Sequence, residues 1–437
     1  MGKRIVDLPS TGLAADFAFR GLVHQMTAPD LLERVDHEPL TLYTGFDPSA
    51  PSLHVGNLLQ LCTLRRFQQA GNRPIALAGG ATGMIGDPGG KSEERKLLAE
   101  EELQHNLEGI RTQLSRFLDM DESAGARKAL LLDNAQWLRS MPLVDFLRDV
   151  GKHFTVNQMM VKESVRARLE RPDQGISFTE FSYMLLQAYD FLYLFSEHGC
   201  LLQVGGSDQW GNITLGIDLI RRVAAKEAFG LTTPLVLKAD GTKFGKTEAG
   251  NVWLDAAMTS PYRLYQYFLR TEDAMAGQYL RFFTFLDPGE ILELDAHTAS
   301  HPERRLAQRA LARAVCDLVH GGDAVQAAER ASAALFGTEI AGVDEATLLD
   351  LLGEAPSCSV ERHTLVSNGM SLVDLMVLAG LASSKSEARR SIAQGGAYLN
   401  NVREHDTERV IARRDLLHDR YIVLRKGRHD HCLVRAG

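Results

Sequence analysis

The sequence predicts an α/β fold, with a parallel sheet and helices on both its faces, followed by an α-helical domain and a small α+β unit. Three observations predict it. Short apolar segments alternate with amphipathic ones in the first half, glycine-rich turns follow the apolar segments, and beyond Pro261 the apolar spacing is almost wholly helical. Because such sheets bind ligands at the carboxyl ends of their strands, the glycine turns indicate a binding site there.

Three segments of the first half are predicted strands, namely residues 41–46, 74–78 and 200–204. Helical spacing of apolar residues follows over residues 52–70 and 213–223. We expect these elements to form one catalytic domain.

Between the strands, residues 93–118 and 142–171 are predicted to be long helices, inserted between the two halves of the sheet. The expected catalytic domain therefore spans residues 1–235, with a helical insertion at about 120–200.

The rest of the chain is predicted to contain a helical domain, a linker and a final compact unit. Residues 236–345 are expected to be helical, mainly over 262–269, 273–280 and 303–320. Residues 346–368 show poor periodicity and contain Pro356, which favours a linker. The last unit, 369–437, is predicted to combine helices at 371–381 and 386–394 with strands at 397–400 and 421–424.

Composition indicates an ordinary globular protein, with 437 residues that are 45% hydrophobic and 24% charged. No apolar segment has the length of a membrane span, and the N-terminus does not resemble a signal peptide. The five cysteines are scattered without a Cys-x-x-Cys pair, so we expect neither a disulfide framework nor a structural zinc site. A cytoplasmic protein is the expectation.

Charge is unevenly distributed along the chain. The net charge is −8, but from Lys385 onwards 12 Lys and Arg stand against 7 Asp and Glu, which is +5 and leaves −13 for the rest. A basic tail on an acidic body favours contact with a phosphate backbone, and a solvated charged surface is the equal alternative.

Two segments about 190 residues apart indicate nucleotide chemistry. Residues 44–48 lead into Leu53-His54-Val55-Gly56-Asn57, and the second segment is Lys243-Phe244-Gly245-Lys246-Thr247. A bound triphosphate needs backbone donors at a helix start, a donor side chain and cations for the departing charge. Together the segments predict an enzyme that activates its substrate with ATP.

Each candidate residue also has a simpler interpretation. His54 suits a phosphate donor or a helix N-cap, and the simpler interpretation of Asp208 is an N-cap. The simpler interpretation of Asp190 is a helix-surface carboxylate. Lys91 and Arg95 suit contacts to pyrophosphate or a solvated helix face.

The two segments resemble the His-Ile-Gly-His and Lys-Met-Ser-Lys-Ser motifs of class I aminoacyl-tRNA synthetases. Residues 79–88, 181–190 and 203–212 are long matches to bacterial tyrosyl-tRNA synthetases, and the last unit resembles an S4-type RNA-binding domain. The resemblance covers residues 40–250 and the C-terminal unit. It implies a Rossmann-like parallel-sheet catalytic domain, a helical domain that contacts tRNA, and an S4-like domain.

The resemblance implies a tyrosine–tRNA ligase that forms tyrosyl-adenylate from L-tyrosine and ATP and then charges tRNA(Tyr). It implies no protein-bound cofactor or metal, with Mg²⁺ arriving on ATP. Two positions depart from the family pattern. Asn57 stands where the family often has a second His, and Phe244-Gly245 replace Met-Ser.

Residue roles are likewise implied by the resemblance. The catalytic residues are expected to be His54, Asn57, Lys243 and Lys246. The tyrosine-binding residues are expected to be Tyr43, Gly45, Asp87, Tyr183, Gln187, Asp190 and Gln203. The ATP-binding residues are expected to be Asp47, Ser49, His54, Gly56, Asn57, Lys91, Arg95, Gly206, Asp208, Gln209, Lys243, Lys246 and Thr247. The RNA-binding residues are expected to be Lys385, Arg389 and Arg390.

The segment 151–160 resembles the family's dimer contact and implies a homodimer, although its apolar residues would equally suit a core. Two other functions stay open at this stage. A tryptophanyl-type synthetase would lack the pair Tyr43 and Asp190, and an RNA-binding protein without catalysis would not need His54, Lys243 and Lys246.

Overall fold

The computed structural model describes residues 12–87, 99–162, 165–166, 169, 175–247, 250–335, 340–352, 356–367, 369–427 and 430–437. The chain divides into two compact units. The first unit holds the described residues up to Asp255 together with Leu269–Val315. The second holds Ala256–Phe268 and the described residues from Cys316 onwards.

A six-stranded sheet forms the centre of the first unit. Its strands are β1 (Gln25–Met26), β2 (Thr41–Phe46), β3 (Arg73–Ala78), β4 (Leu130–Asp133), β5 (Cys200–Gly206) and β6 (Phe229–Thr233). Their order is β1-β6-β5-β2-β3-β4, and only β1 runs antiparallel to its neighbour. This confirms the predicted α/β class. The strand order reverses between β2 and β5, and ligands of open parallel sheets bind at such a reversal.

Helices connect and cover these strands. They are α1 (Gly12–Arg20), α2 (Leu31–His37), α3 (Leu58–Gln69), α4 (Glu100–Phe117), α5 (Ala135–Leu138), α6 (Leu143–Asp149), α7 (Val156–Met160), α8 (Phe178–His198) and α9 (Trp210–Ala224). A short hairpin follows, formed by β7 (Lys246–Thr247) and β8 (Gly250–Asn251). Next come α10 (Pro261–Leu269), α11 (Asp273–Phe283), α12 (Pro288–Ser300) and α13 (Leu306–His320).

Helix α8 has clear start and stop signals in its sequence. The Ser177 hydroxyl accepts a hydrogen bond from the Glu180 amide at the N-terminus, and Gly199 ends the helix in a left-handed conformation with φ 62°. Its buried residues Ala188, Phe191 and Leu194 follow helical spacing. This helix therefore presents a defined set of side chains towards the sheet.

The expected long helix over residues 142–171 is wrong. The described part of this segment contains the short helices α6 and α7, separated by a 3-10 turn at Gly151–His153. The break has a local cause, because Phe154 is extended and the Thr155 side chain caps α7 by accepting from the Gln158 amide. The expected insertion also contains strand β4, which belongs to the sheet.

Buried charges join α1, α3 and α11 within the first unit. The Asp16 carboxylate accepts hydrogen bonds from Arg20 at 2.6 Å and from Arg66 at 3.1 Å. Both arginines also donate to the Thr284 carbonyl that follows α11, where a helix leaves carbonyls without partners. Residues 269–315, expected within a separate domain 236–345, thus pack with the sheet unit.

The second unit combines α14 (Gly322–Leu335), α15 (Glu345–Leu352), α16 (Leu372–Leu378) and α17 (Lys385–Ala393) with a five-stranded sheet. Its strands are β9 (Ser357–Val360), β10 (Ala397–Leu399), β11 (Val402–Glu404), β12 (Tyr421–Lys426) and β13 (Asp430–Ala436), in the order β11-β10-β12-β13-β9. Leu375, Ile392 and Leu424 share its hydrophobic core.

The segment 346–368 is not a plain linker. It includes most of α15 and all of β9, which pairs in parallel with β13 at the edge of the sheet. The sequence Ser-Cys-Ser-Val of β9 is too short and polar to show a strand pattern. Within the described ranges, no helix combines the length and apolarity needed to cross a bilayer.

Candidate active site

A cavity of about 260 Å³ opens at the carboxyl ends of β2, β3 and β5, beside the reversal of strand order. The cavity brings together every residue that the sequence predicted for tyrosine binding: Tyr43, Gly45, Asp87, Tyr183, Gln187, Asp190 and Gln203. Four predicted ATP-binding residues also line it: Asp47, Gly206, Asp208 and Gln209.

Asp190 is a buried carboxylate held by two hydrogen bonds. One oxygen accepts from the Trp137 indole N–H at 2.8 Å, and the other accepts from the Asn134 amide at 2.9 Å. Burial raises the pKa of Asp190 to about 7, although the two hydrogen bonds favour the ionised form. The alternative of an exposed helix-surface carboxylate is wrong, because Asp190 is 2% exposed.

Tyr43 lies beside Asp190, and burial together with the charge of Asp190 raises the pKa of its phenol well above the ordinary value. Its ring packs against Phe191 with centroids 5.3 Å apart. Among the described residues, its hydroxyl has no hydrogen-bond partner, and neither has the Oε1 atom of Gln203. Buried polar atoms in proteins are normally paired, so both atoms indicate a polar ligand in the cavity.

Asp47 lies at the end of β2, where it accepts hydrogen bonds from two residues. The Tyr183 hydroxyl donates to its carboxylate at 3.2 Å, and the Thr82 hydroxyl donates at 3.3 Å. Gly79 permits this arrangement, since a Cβ atom there would lie 2.5 Å from the Asp47 carboxylate. Asp47, predicted for ATP, therefore directly contacts a residue predicted for tyrosine.

A network of amide side chains joins α8 and α9 to the carboxylate of Asp87. Gln209 donates to Asp87 at 2.8 Å and accepts from Gln187 at 3.2 Å. Asn212 donates to Gln187 at 2.9 Å. The network orients three predicted site residues towards one another.

Asp208 does not cap a helix. It lies within the 3-10 turn Ser207–Gln209, and α9 begins after Gln209 without a side-chain cap. Burial raises its pKa, and repulsion from Asp87 adds to this, while the nearby charge of Lys243 lowers it. The N-cap interpretation is therefore wrong, and Asp208 lies in the electrostatic field of the lysine segment.

The two motif segments meet through backbone pairing. The Val55 amide donates to the Val252 carbonyl at 2.9 Å, and the Val252 amide donates to the Gly245 carbonyl at 3.1 Å. A Cβ atom on Gly245 would lie 3.2 Å from the Gly56 nitrogen. The fold thus brings the two segments into contact, although about 190 residues separate them in the sequence.

His54 caps the turn that precedes α3, as one of its two interpretations predicted. Its Nδ1 atom accepts from the Gly56 amide at 3.0 Å, and its own amide donates to the Asn57 side chain at 3.1 Å. Gly56 is required here, because a Cβ atom would lie 2.6 Å from the imidazole. Because Nδ1 accepts a hydrogen bond, the neutral imidazole ring carries its proton on Nε2.

The remaining ATP candidates lie outside the cavity lining. Ser49, Lys243 and Lys246 are exposed, and Thr247 pairs with Gly250 in the β7–β8 hairpin. Lys91 and Arg95 lie outside the described residues.

Sequence reasoning missed four residues near the substrate cavity: Gln60, Thr82, Asn134 and Trp137. Asn134 directly follows β4, so its position after a strand of the sheet was the available signal. The signal was lost because β4 was assigned to a helical insertion.

The predicted RNA-binding residues lie on α17 of the second unit. Lys385 forms an ion pair with Asp374 at 2.6 Å, and Arg389 and Arg390 are exposed. Lys385 and Arg389 are four residues apart and so share one face of the helix.

Comparison with known proteins identifies the class. The family model described as class I tRNA synthetases (W and Y) matches residues 35–337. A second model, the SYY-like C-terminal domain of tyrosine–tRNA ligases, matches residues 350–434. The sheet, the cavity and these matches define a class I tRNA synthetase.

Relatives that match over nearly their full length identify the family within this class. A tyrosine–tRNA ligase of Roseiflexus castenholzii is 55% identical over 97% of this chain and 99% of its own length. That of Geobacillus stearothermophilus is 49% identical over 97% of this chain and 99% of its own. The crystal structure of a C-terminally truncated mitochondrial tyrosyl-tRNA synthetase of Aspergillus nidulans superposes with a TM-score of 0.66 at 34% identity, covering 75% of this chain and 94% of that one. The chain belongs to the tyrosyl-tRNA synthetase family.

Proposed function

We propose that this chain is a tyrosine–tRNA ligase. It activates L-tyrosine with ATP to tyrosyl-adenylate and pyrophosphate, and then transfers tyrosine to the 3′-terminal ribose of tRNA(Tyr). The observation that carries this proposal is a buried carboxylate, Asp190, beside the buried hydroxyl of Tyr43, both lining one cavity.

Selectivity for a phenol follows from these two groups. The Asp190 carboxylate accepts a hydrogen bond from the substrate hydroxyl, and the Tyr43 hydroxyl donates one to the oxygen of that substrate hydroxyl. Phenylalanine would leave the Tyr43 hydroxyl without a partner and would deprive the buried Asp190 carboxylate of one hydrogen bond, and a buried polar group left unpaired costs about 1–3 kcal/mol. The site therefore rejects phenylalanine without needing a second, hydrolytic site.

The other end of the substrate amino acid lies among acceptors for its ammonium group. Asp47 and Tyr183 form one hydrogen-bonded pair, and Asp87, Gln187 and Gln203 line the cavity beside it. A Cβ atom on Gly45 would have no heavy atom within 4 Å, so the space beside this residue of the cavity is open.

Adenylate formation then needs alignment and charge neutralisation, because the substrate carboxylate itself attacks the α-phosphorus of ATP. His54, Asn57, Lys243 and Lys246 bind the phosphates as charge moves to the departing pyrophosphate. Asp208 binds the ribose, with Gly206 allowing its close approach, and Gln209 reaches the reacting carboxyl group. Ser49, Gly56 and Thr247 complete the nucleotide site. Mg²⁺ accompanies ATP as part of that substrate, and Lys91 and Arg95 add positive charge near the leaving group.

The second unit binds tRNA through the exposed face of α17 that contains Lys385, Arg389 and Arg390. Positive side chains on one face neutralise backbone phosphates.

The chain is also proposed to form a homodimer in the cytoplasm. Helices α6 and α7 expose Leu143, Val144, Val156 and Val161, of which Val144 is 73% exposed. An apolar patch of this kind favours burial against a second copy. The five cysteines are free thiols, which fits a reducing compartment.

The test is ATP–pyrophosphate exchange with each of the twenty amino acids. We expect exchange with tyrosine, much slower exchange with phenylalanine at equal concentration, and none with tryptophan. Lys246→Ala should lower the exchange rate at least tenfold, whereas Lys226→Ala, which removes another exposed lysine of the first unit, should leave it unchanged. Exchange with tryptophan in place of tyrosine would contradict the proposal.

A further inference from the structure

Helix α4 presents a buried amide side chain to the segment that precedes His54. Gln113 is 3% exposed, and it follows the helical spacing of the other buried residues of α4. Its Oε1 atom accepts a hydrogen bond from the Leu53 amide at 2.8 Å, and its Nε2 atom donates to the Ser52 hydroxyl oxygen at 2.9 Å. One side chain thus holds both residues that directly precede His54.

Both backbone groups of Leu53 are fixed by hydrogen bonds. The amide donates to Gln113, and the carbonyl accepts from the Leu254 amide at 2.8 Å and from the Ser52 hydroxyl at 2.6 Å. These bonds determine where the next residue, His54, begins. Because the His54 ring is itself hydrogen-bonded within the turn that follows, its position depends on that of Leu53.

The same contacts reach the second motif segment. The Ser52 hydroxyl oxygen, which accepts from Gln113, also accepts from the Asp255 amide at 3.1 Å. Three residues before Asp255, the Val252 amide donates to the Gly245 carbonyl of the lysine segment at 3.1 Å. Gln113 therefore holds a junction between the two motif segments.

An amide at this position of α4 has no role in packing alone. The neighbouring buried residues Ile110 and Leu114 are apolar, and Gln113 lies outside the described lining of the substrate cavity. A buried amide is unfavourable unless its polar atoms are paired. Both polar atoms are paired here, and their partners are the two residues before His54. The side chain is thus placed to hold this segment rather than to bind a substrate.

We propose that Gln113 is a positioning residue for adenylate formation. This inference rests on the proposed function, in which the two motif segments bind the phosphates of ATP. By fixing Ser52 and Leu53, the Gln113 amide sets the distance between the His54 imidazole and the lysine segment. Such support matters for the rate, because a misplacement of about 1 Å can cost about a hundredfold even when the substitution is far from the reacting atoms.

The test is Gln113→Met, which keeps the length of the side chain and removes both hydrogen bonds. We expect kcat for tyrosine-dependent ATP–pyrophosphate exchange to fall about ten- to a hundredfold. The dissociation constant for tyrosine, measured by equilibrium dialysis, should stay within about twofold, because the lost bonds support groups that act on the phosphates in the transition state.

Ser52→Ala tests the same junction from the other side. It removes the acceptor for Gln113 and for the Asp255 amide but keeps the bond between Gln113 and Leu53, so kcat should fall by a smaller factor. The loss in the double variant should be smaller than the product of the two single losses, because both substitutions break the bond between Gln113 and Ser52. Losses that multiply would contradict a shared junction.

The matched control is Gln68→Met. Gln68 is 0% exposed, accepts from the Asp119 amide at 2.9 Å, and donates to the carbonyls of Asp119 at 2.7 Å and Arg127 at 2.8 Å. Because this variant loses at least as many hydrogen bonds, its stability in urea unfolding should fall as much as that of Gln113→Met, with kcat kept within about twofold.

Three results would overturn the inference: equal losses of kcat in the two methionine variants, an unchanged kcat in Gln113→Met, or a loss of tyrosine affinity as large as the loss of kcat. If urea unfolding shows that Gln113→Met is not folded, the kcat of Ser52→Ala decides, and an unchanged value overturns the inference. The wild-type protein tests the proposed function separately, since a lack of exchange with tyrosine there would contradict that function and not the role of Gln113 alone.

Discussion

Replacing Tyr43 by Phe removes one oxygen atom and allows the stability of the protein and its recognition of tyrosine to be tested separately. The Tyr43 side chain is 1% exposed, and its hydroxyl has no partner among the described residues. The substitution therefore breaks no hydrogen bond within the described protein and keeps the ring contact with Phe191. The free energy of unfolding should stay within about 1 kcal/mol of wild type or rise, because an unpaired buried hydroxyl is itself unfavourable.

Recognition of tyrosine should weaken in the same variant. The bound phenol loses one neutral hydrogen bond, which contributes about 0.5–1.5 kcal/mol. At 25 °C this corresponds to a rise of about two- to thirteenfold in KM for tyrosine. Phenylalanine has no hydroxyl to lose a partner, so its kcat/KM should not fall. The preference for tyrosine over phenylalanine should decrease by the same factor.

Two measurements test this reasoning, namely pyrophosphate exchange with each amino acid and urea unfolding. The matched control is Tyr421→Phe, because this buried hydroxyl does donate, to Glu345 at 3.0 Å. The control should lose about 1–3 kcal/mol of stability and keep the substrate preference. The reasoning is refuted if Tyr43→Phe loses as much stability as the control, or if its preference for tyrosine is unchanged.

Three further substitutions test the site. Burial raises the pKa of Asp190 from 3.8 to about 7. The protonated carboxyl therefore stabilises the fold at low pH, and this stability is lost as pH rises towards 7, while kcat/KM for tyrosine should rise over the same pH range. Asp190→Asn should abolish both pH effects, as measured by urea unfolding and by exchange assays. The Phe244 ring packs against that of Tyr279, with centroids 4.8 Å apart, and so fixes the lysine segment to the protein. Phe244→Ala should therefore lower the exchange rate about tenfold without changing the tyrosine affinity measured by equilibrium dialysis, and Phe244→Met should keep most activity. Full activity in the Ala variant would contradict this role of the ring. Gly56→Ala should displace the His54 ring, because the added Cβ atom would lie 2.6 Å from it. The exchange rate should fall while the affinity for tyrosine is kept. An unchanged exchange rate would show that His54 takes no part in the reaction.

Sequence patterns predicted those parts of the fold that have strong local signals. β2, β3 and β5 were predicted from short apolar runs, with glycine turns after β3 and β5, and α3 and α9 were predicted from the helical spacing of their apolar residues. β4 was missed because four residues inside a helical neighbourhood have no periodicity of their own. A strand of this kind is defined by pairing with a distant partner, here β3, and a local pattern does not contain that partner.

The site shows the same limit at the level of single side chains. The roles expected for Asp190 depend on Asn134 and Trp137, which come from the neighbourhood of the missed strand. Asn57 was expected among the catalytic residues, and its side-chain oxygen accepts from the His54 amide, a contact that depends on the geometry of the turn. The family resemblance predicted which groups gather at the cavity, and the contacts between them required the fold.

The unusual Phe244-Gly245 pair has a physical explanation in how the two motif segments meet. Gly245 has φ +90°, where a side chain is strained, and it approaches the Gly56 nitrogen so closely that a Cβ atom would lie 3.2 Å away. A serine at this position would therefore strain the backbone or push the hairpin away from the turn that contains His54. Phe244 then supplies the attachment, because its ring stacks on Phe283 with centroids 5.2 Å apart and an interplanar angle of 21°. With Phe244 packed in this way, Lys246 is exposed on the β7–β8 hairpin, and backbone contacts set the distance between this hairpin and His54. In the proposed function, the Phe244-Gly245 pair therefore takes the place of Met-Ser with a different packing arrangement and keeps Lys246 available to the phosphates.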